Sequence, residues 1–169
     1  LTVENEPYVM PAMPEGCADG VLSGLYRFNQ SELAEPKHRA QLFGSGAILN
    51  EVLKAQVILE EKFGVAADVW SATSYVELRR EALTVERWNR LHPEEEPRVP
   101  YVTRVVGDAP GPIIAASDYM KCVPDMVSRW LDDMTPLGTN GFGRSDTREA
   151  LRRHFEVDPE HIVVTTLWR

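Results

Sequence analysis

The stretch Ala40–Thr73, AQLFGSGAILNEVLKAQVILEEKFGVAADVWSAT, decides how the chain folds. Ala40 to Phe43 is a short apolar run that reaches Gly44-Ser45-Gly46, and a helical pattern begins at once. Ile48, Val52, Ala55, Leu59 and Phe63 recur at alternating steps of four and three, which puts them on one stripe of a helix. Asn50, Glu51, Lys54, Glu60 and Glu61 fill the other faces. Gly64 stands where a helix needs a left-handed residue to stop, and Val65 to Ala72 resumes a strand. Strand, glycine turn, helix and strand of this length predict a crossover between parallel strands. Alone, the unit specifies architecture and no chemistry.

Working outward, Leu1 to Glu6 reads as a strand, and Pro7, Pro11 and Pro14 then impose an extended arm. Gly20 to Phe28 reads as another strand and Asn29 to Arg39 as a polar loop. On the other side, Ser74 with Glu77 has capping-box spacing, and Tyr75, Leu78, Ala82 and Val85 predict a helix that ends before His92-Pro93. Pro93 to Pro97 (PEEEP) is a solvated acidic linker rather than a metal site. Tyr101 to Val106 alternates as a strand, Asp108 to Pro112 is a turn, and Ile113 to Ala116 is a short buried strand. The last two strands are either a hairpin or neighbours joined by a longer loop. Val123, Val127, Trp130 and Met134 predict a third amphipathic helix, with Pro124 near its first turn, and Thr135 to Gly138 a last strand. After the sharp turn Thr139 to Gly143, Ser145 or Asp146 caps a helix through Phe155. Asp158-Pro159 caps a terminal helix, although Ile162 to Thr166 is rich in β-branched residues. Strands alternating with helices predict an α/β fold with a mostly parallel sheet.

Composition sets the outer bounds. A length of 169 residues suits one domain with a core of its own, and 43% hydrophobic with 26% charged residues is ordinary for a soluble protein. The net charge of −8 argues against nucleic acid or an anionic membrane as main partner, since neither offers counter-charge. Cys17 and Cys122 lack metal-ligand spacing and read as free thiols of a reducing cytoplasm. No apolar run approaches the ~20 residues of a membrane span, and no signal peptide is recognisable. The chain opens on LTV without methionine and closes on Trp168-Arg169 within an apolar segment, so both ends are expected to continue into a longer polypeptide.

Most catalytic patterns are missing. Gly44-Ser45-Gly46 begins like a dinucleotide fingerprint, but Leu49 occupies the third glycine position, and Asp68 lies too early in its strand to hold a ribose. There is no GxxxxGK loop, and Ser45 lacks the flanking glycines of a nucleophile elbow. His38, His92, His154 and His161 are scattered without metal-site spacing. The run Gly138 to Asp146 (GTNGFGRSD) has two readings. It cradles an anion at a helix N-terminus with Arg144 adding charge, or it is a tight turn in which Phe142 plugs the core and Ser145 or Asp146 caps the helix. A capping acid competes with a bound anion, which favours the second.

Six segments, LTVENEPYVMPAMPEG, LFGSGAILNEV, ADVWSATSYVEL, ERWNRLHPEEEPRVPYV, SDYMK and LGTNGFGRSDTREALRRHFEVD, run in order over nearly the whole chain. With them the chain closely resembles the carboxy-terminal domain of homodimeric bacterial pyruvate dehydrogenase first components. The resemblance implies a transketolase-type third domain: an α/β/α sandwich on a mainly parallel five-stranded sheet with one antiparallel edge strand. Residues 1–30 would be the arm and first strand leading in from a middle domain, and 31–169 the α/β domain proper. The family decarboxylates pyruvate oxidatively and acetylates a lipoyl group on a partner acyltransferase, using thiamine diphosphate and magnesium. Its diphosphate–magnesium signature begins GDG; here Gly107-Asp108-Ala109 breaks that pattern, so no catalytic, cofactor or metal residue is carried onto this sequence.

The implied role is structural: completing the homodimer, bracing the middle domain and offering contacts to the acyltransferase, with the piece inactive by itself. The contact candidates are Tyr8, Met10 and Met13 in the proline arm and Trp88, His92 and Tyr101 beyond. Two alternatives stay open. One is a free-standing interaction module; the other is a nucleotide- or small-anion-binding domain with its site in the loops after the strands. Ser45, Gly46, Thr73, Ser117, Asp118, Gly143, Arg144 and Ser145 fall there.

Overall fold

The protein, as a computed structural model, is described for residues 7 to 9 and 11 to 169. The strand expected over residues 1–6 lies outside them. Five strands form one sheet in the order β1-β3-β2-β4-β5. β2 (His38–Gly44), β3 (Val65–Ala72), β4 (Ile113–Ala116) and β5 (Met134–Leu137) run parallel, and β1 (Leu25–Asn29) closes one edge antiparallel to β3.

The central unit folds as its sequence dictates. After β2, a 3-10 turn at Gly46–Ile48 leads into α2 (Leu49–Ile58), a π turn follows at Leu59–Phe63, and Gly64 stops the helix at φ 67°. Ile48, Val52, Ala55 and Leu59 are wholly buried, whereas Phe63 is 42% exposed. The π turn inserts extra backbone per turn, so Phe63 at its end rotates off the stripe that a 3.6-residue period would extend.

Alternating side chains divide the core into two layers. Ala40, Leu42, Val69, Ile114 and Ala116 meet α2 and α7 (Pro159–Trp168) on one face. Phe43, Trp70, Ile113 and Ala115 meet α3 (Tyr75–Leu91) and α4 (Tyr101–Val106) on the other. The result is the α/β/α sandwich expected.

Several local expectations are corrected. Residues Ala18–Ser23 form a short helix, α1, which ends at Gly24 (φ 103°); only then does β1 begin. A Cβ on Gly24 would lie 2.6 Å from the Ser74 carbonyl oxygen, so the strand predicted to start at Gly20 is broken by a turn that needs glycine. Tyr101–Val106 is helical, not extended. Pro100 precedes it, the Tyr101 N–H donates to the Glu81 carboxylate at 2.9 Å, and Val102 and Val106 enter the core one turn apart. Six residues containing three valines fit either period; the deciding acceptor lies twenty residues away. No hairpin therefore precedes β4.

The third amphipathic helix is also shorter than predicted. α5 (Cys122–Asp125) and a 3-10 turn at Ser128–Trp130 replace it, and Met134 belongs to β5. Asp133 adopts φ 49°, which ends any helix before it. Glu51, assigned from spacing to an outer face, is 4% exposed. Phe142 is 97% exposed and plugs nothing. The cap of α6 (Arg148–His154) is Thr147, whose Oγ1 accepts from Ala150 N at 3.3 Å, while Asp146 Oδ1 accepts from Thr147 N at 2.7 Å. The predicted caps of α3 and α7 hold: Ser74 Oγ accepts from Glu77 N at 3.1 Å and Asp158 Oδ1 from His161 N at 3.0 Å.

Candidate functional site

The sheet grows in opposite directions from β2: α2 leads the chain to β3 on one side, and α3 with α4 leads it to β4 on the other. Ligands of open α/β sheets bind where that reversal opens a crevice beyond the carboxyl ends of the strands. Gly44 pairs with Ala116, so Ser45 and Ser117 follow on adjacent strand ends. Gly44 is a close-approach position, since a Cβ there would lie 2.8 Å from the Leu49 Cα. Gly46 takes φ 55° and turns the chain into the helix.

The polar groups here are mostly consumed by the loops themselves. Ser117 is wholly buried; its N–H donates to Leu137 O at 3.1 Å and its Oγ accepts from Tyr119 N at 3.0 Å. Thr139 laces the next loop on, donating from N to Tyr119 O at 2.8 Å and from Oγ1 to Asp118 O at 2.7 Å. Asn140 Oδ1 accepts from Lys121 N at 3.0 Å. Ser45 differs: its Oγ is buried and has no hydrogen-bond partner among the described residues. Glu51, in the first turn of α2, already opposes the helix dipole with a carboxylate.

Ser45, Gly46, Ser117 and Asp118 thus meet at the strand ends. Gly143, Arg144 and Ser145 stand exposed on the loop before α6. Thr73 donates from Oγ1 to Val21 O at 2.8 Å and ties α1 to the end of β3. Among the described residues, no three His, Cys, Asp or Glu side chains cluster to hold a metal ion. Cys17 and Cys122 are free thiols, and no helix among the described residues is long and apolar enough to cross a membrane.

The contact candidates have distinct surroundings. The Tyr8 ring lies under Arg148 and Arg152, with centroid distances of 4.8 and 5.9 Å, and its hydroxyl accepts from Arg152 at 3.3 Å. Met13 is exposed; Met10 lies outside the described residues. Trp88 is sandwiched between His92, stacked at 4.4 Å, and the Arg98 guanidinium at 3.6 Å. Asn89 pins the acidic linker by exchanging two hydrogen bonds with the Arg98 backbone, at 2.8 and 2.9 Å. Tyr101 is half-buried, and its hydroxyl donates to Leu25 O at 2.8 Å. The sequence reading missed the Tyr8–Arg152–Glu51 network; its one local signal was the Arg148/Arg152 pair a turn apart on α6.

A parallel α/β sheet with an antiparallel edge and a switch point between β2 and β4 defines a doubly wound α/β domain. The family model of the transketolase-like TK C-terminal domain matches residues 24–158, and the chain belongs to that family. It is 49% identical over 169 residues to the pyruvate dehydrogenase E1 component of Escherichia coli, 47% to that of Pseudomonas aeruginosa and 44% to that of Mycobacterium tuberculosis. Those alignments take in 99% of this chain but only 18–19% of each relative, so the chain spans about a fifth of their length. Among solved structures, a transketolase of Pichia stipitis with xylulose 5-phosphate superposes with TM-score 0.62 at 18% identity, over 94% of this chain and 20% of that one. A split-gene transketolase described as an inactive beta4 tetramer gives 0.54 at 14% identity, over 85% and 41%. These two likenesses carry the fold alone.

Proposed function

We propose that this chain serves as the third domain of a pyruvate dehydrogenase first component. Such an enzyme decarboxylates pyruvate and passes the acetyl group to the lipoyl arm of an acyltransferase in the cytoplasm. The observation that carries the reading is 49% identity sustained across 169 residues with the E. coli relative. Thiamine diphosphate, when bound, supplies the carbanion-stabilising ylid; it and magnesium are held by residues outside this chain. This domain's part is structural. It braces a neighbouring domain through the arm fastened at Tyr8, contributes to a homodimer, and meets the acyltransferase through surfaces such as Met13 and the Trp88–His92 segment.

A chimera tests this directly. Replacing the equivalent region of the E. coli pyruvate dehydrogenase E1 component with this chain is expected to preserve acetyl transfer to lipoyl domains. A folded, dimeric chimera without activity would count against the reading. The chain alone, given thiamine diphosphate, magnesium and pyruvate, is expected to bind no cofactor by calorimetry and to release no carbon dioxide.

A second reading, a small anion held at the switch point, has one observation in its favour: the Ser45 Oγ beside Ser117, which has no partner among the described residues. Thermal-shift titration with phosphate and ATP tests it. A rise in Tm that Ser45→Ala abolishes would support it, and no shift at millimolar ligand would remove it.

A further inference from the structure

Helix α3 has a second face. Tyr75, Leu78 and Ala82 enter the core, while Val76, Arg79, Arg80, Leu83, Thr84 and Arg87 recur at the i, i+3, i+4, i+7 spacing of another stripe. With Met126 these residues line an open groove of about 540 Å³. Val76 is 65% exposed, and Leu91 continues the apolar line at 54%.

The charges on this helix are unevenly spent. Glu77 pairs with Arg80, Glu81 accepts from Tyr101 N at 2.9 Å, and Glu86 accepts from Arg129 at 2.7 Å and Trp130 Nε1 at 2.8 Å. Among the described residues Arg79 and Arg87 are left without an acidic partner. They stand eight residues, about 12 Å, apart on one face. In a chain of net charge −8, this is a local inversion of sign laid beside exposed aliphatic side chains.

We propose that the outer face of α3 docks an acidic amphipathic helix of a separate protein. The partner's apolar stripe would lie on Val76, Leu83 and Met126, and its carboxylates would meet Arg79 and Arg87. The repeat along α3 matches the turns of a second helix, which is how helix-in-groove recognition is read. Guanidinium forks take carboxylates in bidentate pairs, which fixes the register that apolar contact alone leaves free. The chain's own acidic run, Glu94 to Glu96, is an unsuitable occupant. It sits between Pro93 and Pro97 with no apolar residue inside it, and so offers charge without a stripe. This inference does not depend on the reaction proposed above.

The probe is a synthetic helical peptide of about 18 residues, five turns, with leucine at i, i+3, i+4 and i+7 and glutamate on its flanks. A composition-matched scramble is the control. Binding is read by fluorescence anisotropy and by amide shifts of this chain. The expected result is micromolar binding, shifts confined to α3 and Met126, and weakening of about tenfold or more in Arg79→Gln/Arg87→Gln. All the side chains changed there are exposed, and circular dichroism checks that the variant folds. Val76→Ser/Leu83→Ser is expected to weaken binding independently of salt. Equal binding by the scramble, unchanged affinity in both variants, or shifts elsewhere would overturn the proposal. Self-association abolished by Arg79→Gln/Arg87→Gln would give the face to a second copy. Protection of α3 amides in the longer enzyme, with loss of peptide binding, would give it to an intrachain neighbour. Either result also overturns the proposal.

Discussion

Arg152 of α6 donates to the Glu51 carboxylate of α2 at 2.9 Å, joining helices 101 residues apart in sequence. Both side chains are withdrawn from water, at 14% and 6% exposure. Lys54 donates to the same Glu51 oxygen at 2.8 Å from an exposed position. The second guanidinium nitrogen of Arg152 reaches Tyr8, so one side chain fixes α6 to the core and the arm to α6.

Removing Arg152 leaves the withdrawn Glu51 carboxylate held by Lys54 alone. Arg152→Ala is therefore expected to cost about 2 kcal/mol in urea-induced unfolding. Arg153→Ala is the control. Its partner Asp158 is 3.8 Å away and Arg153 is 70% exposed, so a loss of about 0.5 kcal/mol or less is expected. Equal effects of the two changes would show that the Glu51 contact is not special.

Tyr75 gives a prediction of opposite sign. Its hydroxyl is buried with no hydrogen-bond partner among the described residues, and burial pushes its pKa well above the usual tyrosine range. Tyr75→Phe removes that desolvated group while keeping the ring, and should stabilise the fold by about 1 kcal/mol. The pH dependence follows from the same raised pKa. The folded state holds the phenolic proton more tightly than the unfolded state, so this contribution is complete below the unfolded tyrosine pKa of about 10 and is lost as pH rises above it. Denaturation series at neutral and alkaline pH should show a shallower alkaline loss in Tyr75→Phe. Identical pH profiles would mean that water reaches the hydroxyl in the folded state, so that it titrates as it does in the unfolded chain.

What the sequence made legible follows from the range of the forces involved. The unit from Ala40 to Ala72 could be read because each signal is local: stripe, turn glycine and stop glycine lie within one helix length. Ser74 and Asp158 were readable as caps for the same reason, since the cap and the N–H that donates to it are three residues apart. Tyr101–Val106 was not, because its valines suit both periods and the Glu81 acceptor comes from another helix. Glu51 was placed on an outer face because only the fold brings Arg152 to it. At the candidate site, Ser45 and Ser117 were readable as strand-end residues, but that among the described residues the Ser117 hydroxyl has a partner and the Ser45 hydroxyl has none depends on loop geometry no spacing records.

Gly44 and Gly143 separate steric need from mere turn composition. At Gly44 a Cβ would meet the Leu49 backbone at 2.8 Å, and neither strand end nor helix start can shift without disturbing the sheet. At Gly143 nothing lies within 4 Å. Gly44→Ala is expected to destabilise by about 1–3 kcal/mol through overpacking. Gly143→Ala should be close to neutral in the same thermal melts. If Gly143→Ala were the worse of the two, the loop before α6 would have to be held more tightly than its exposure implies.

The last prediction concerns α7, whose Ile162–Thr166 run has poor intrinsic helix propensity and whose packing against the sheet depends on a firm start. Asp158 supplies it: Oδ1 accepts from His161 N at 3.0 Å and lies 2.5 Å from His161 Nδ1, with Pro159 preset in the first turn. Asp158→Ala should cost about 1–2 kcal/mol, and Asp158→Asn, which keeps an acceptor oxygen, less. Hydrogen exchange distinguishes a local from a global loss. If the cap acts through α7, amides from His161 to Thr166 should lose protection before those of β2 and β3, because Ile162 and Val163 fill only one of the two core layers. Simultaneous loss in α7 and the sheet would instead mean that the terminal helix and its layer unfold as one unit with the strands they cover.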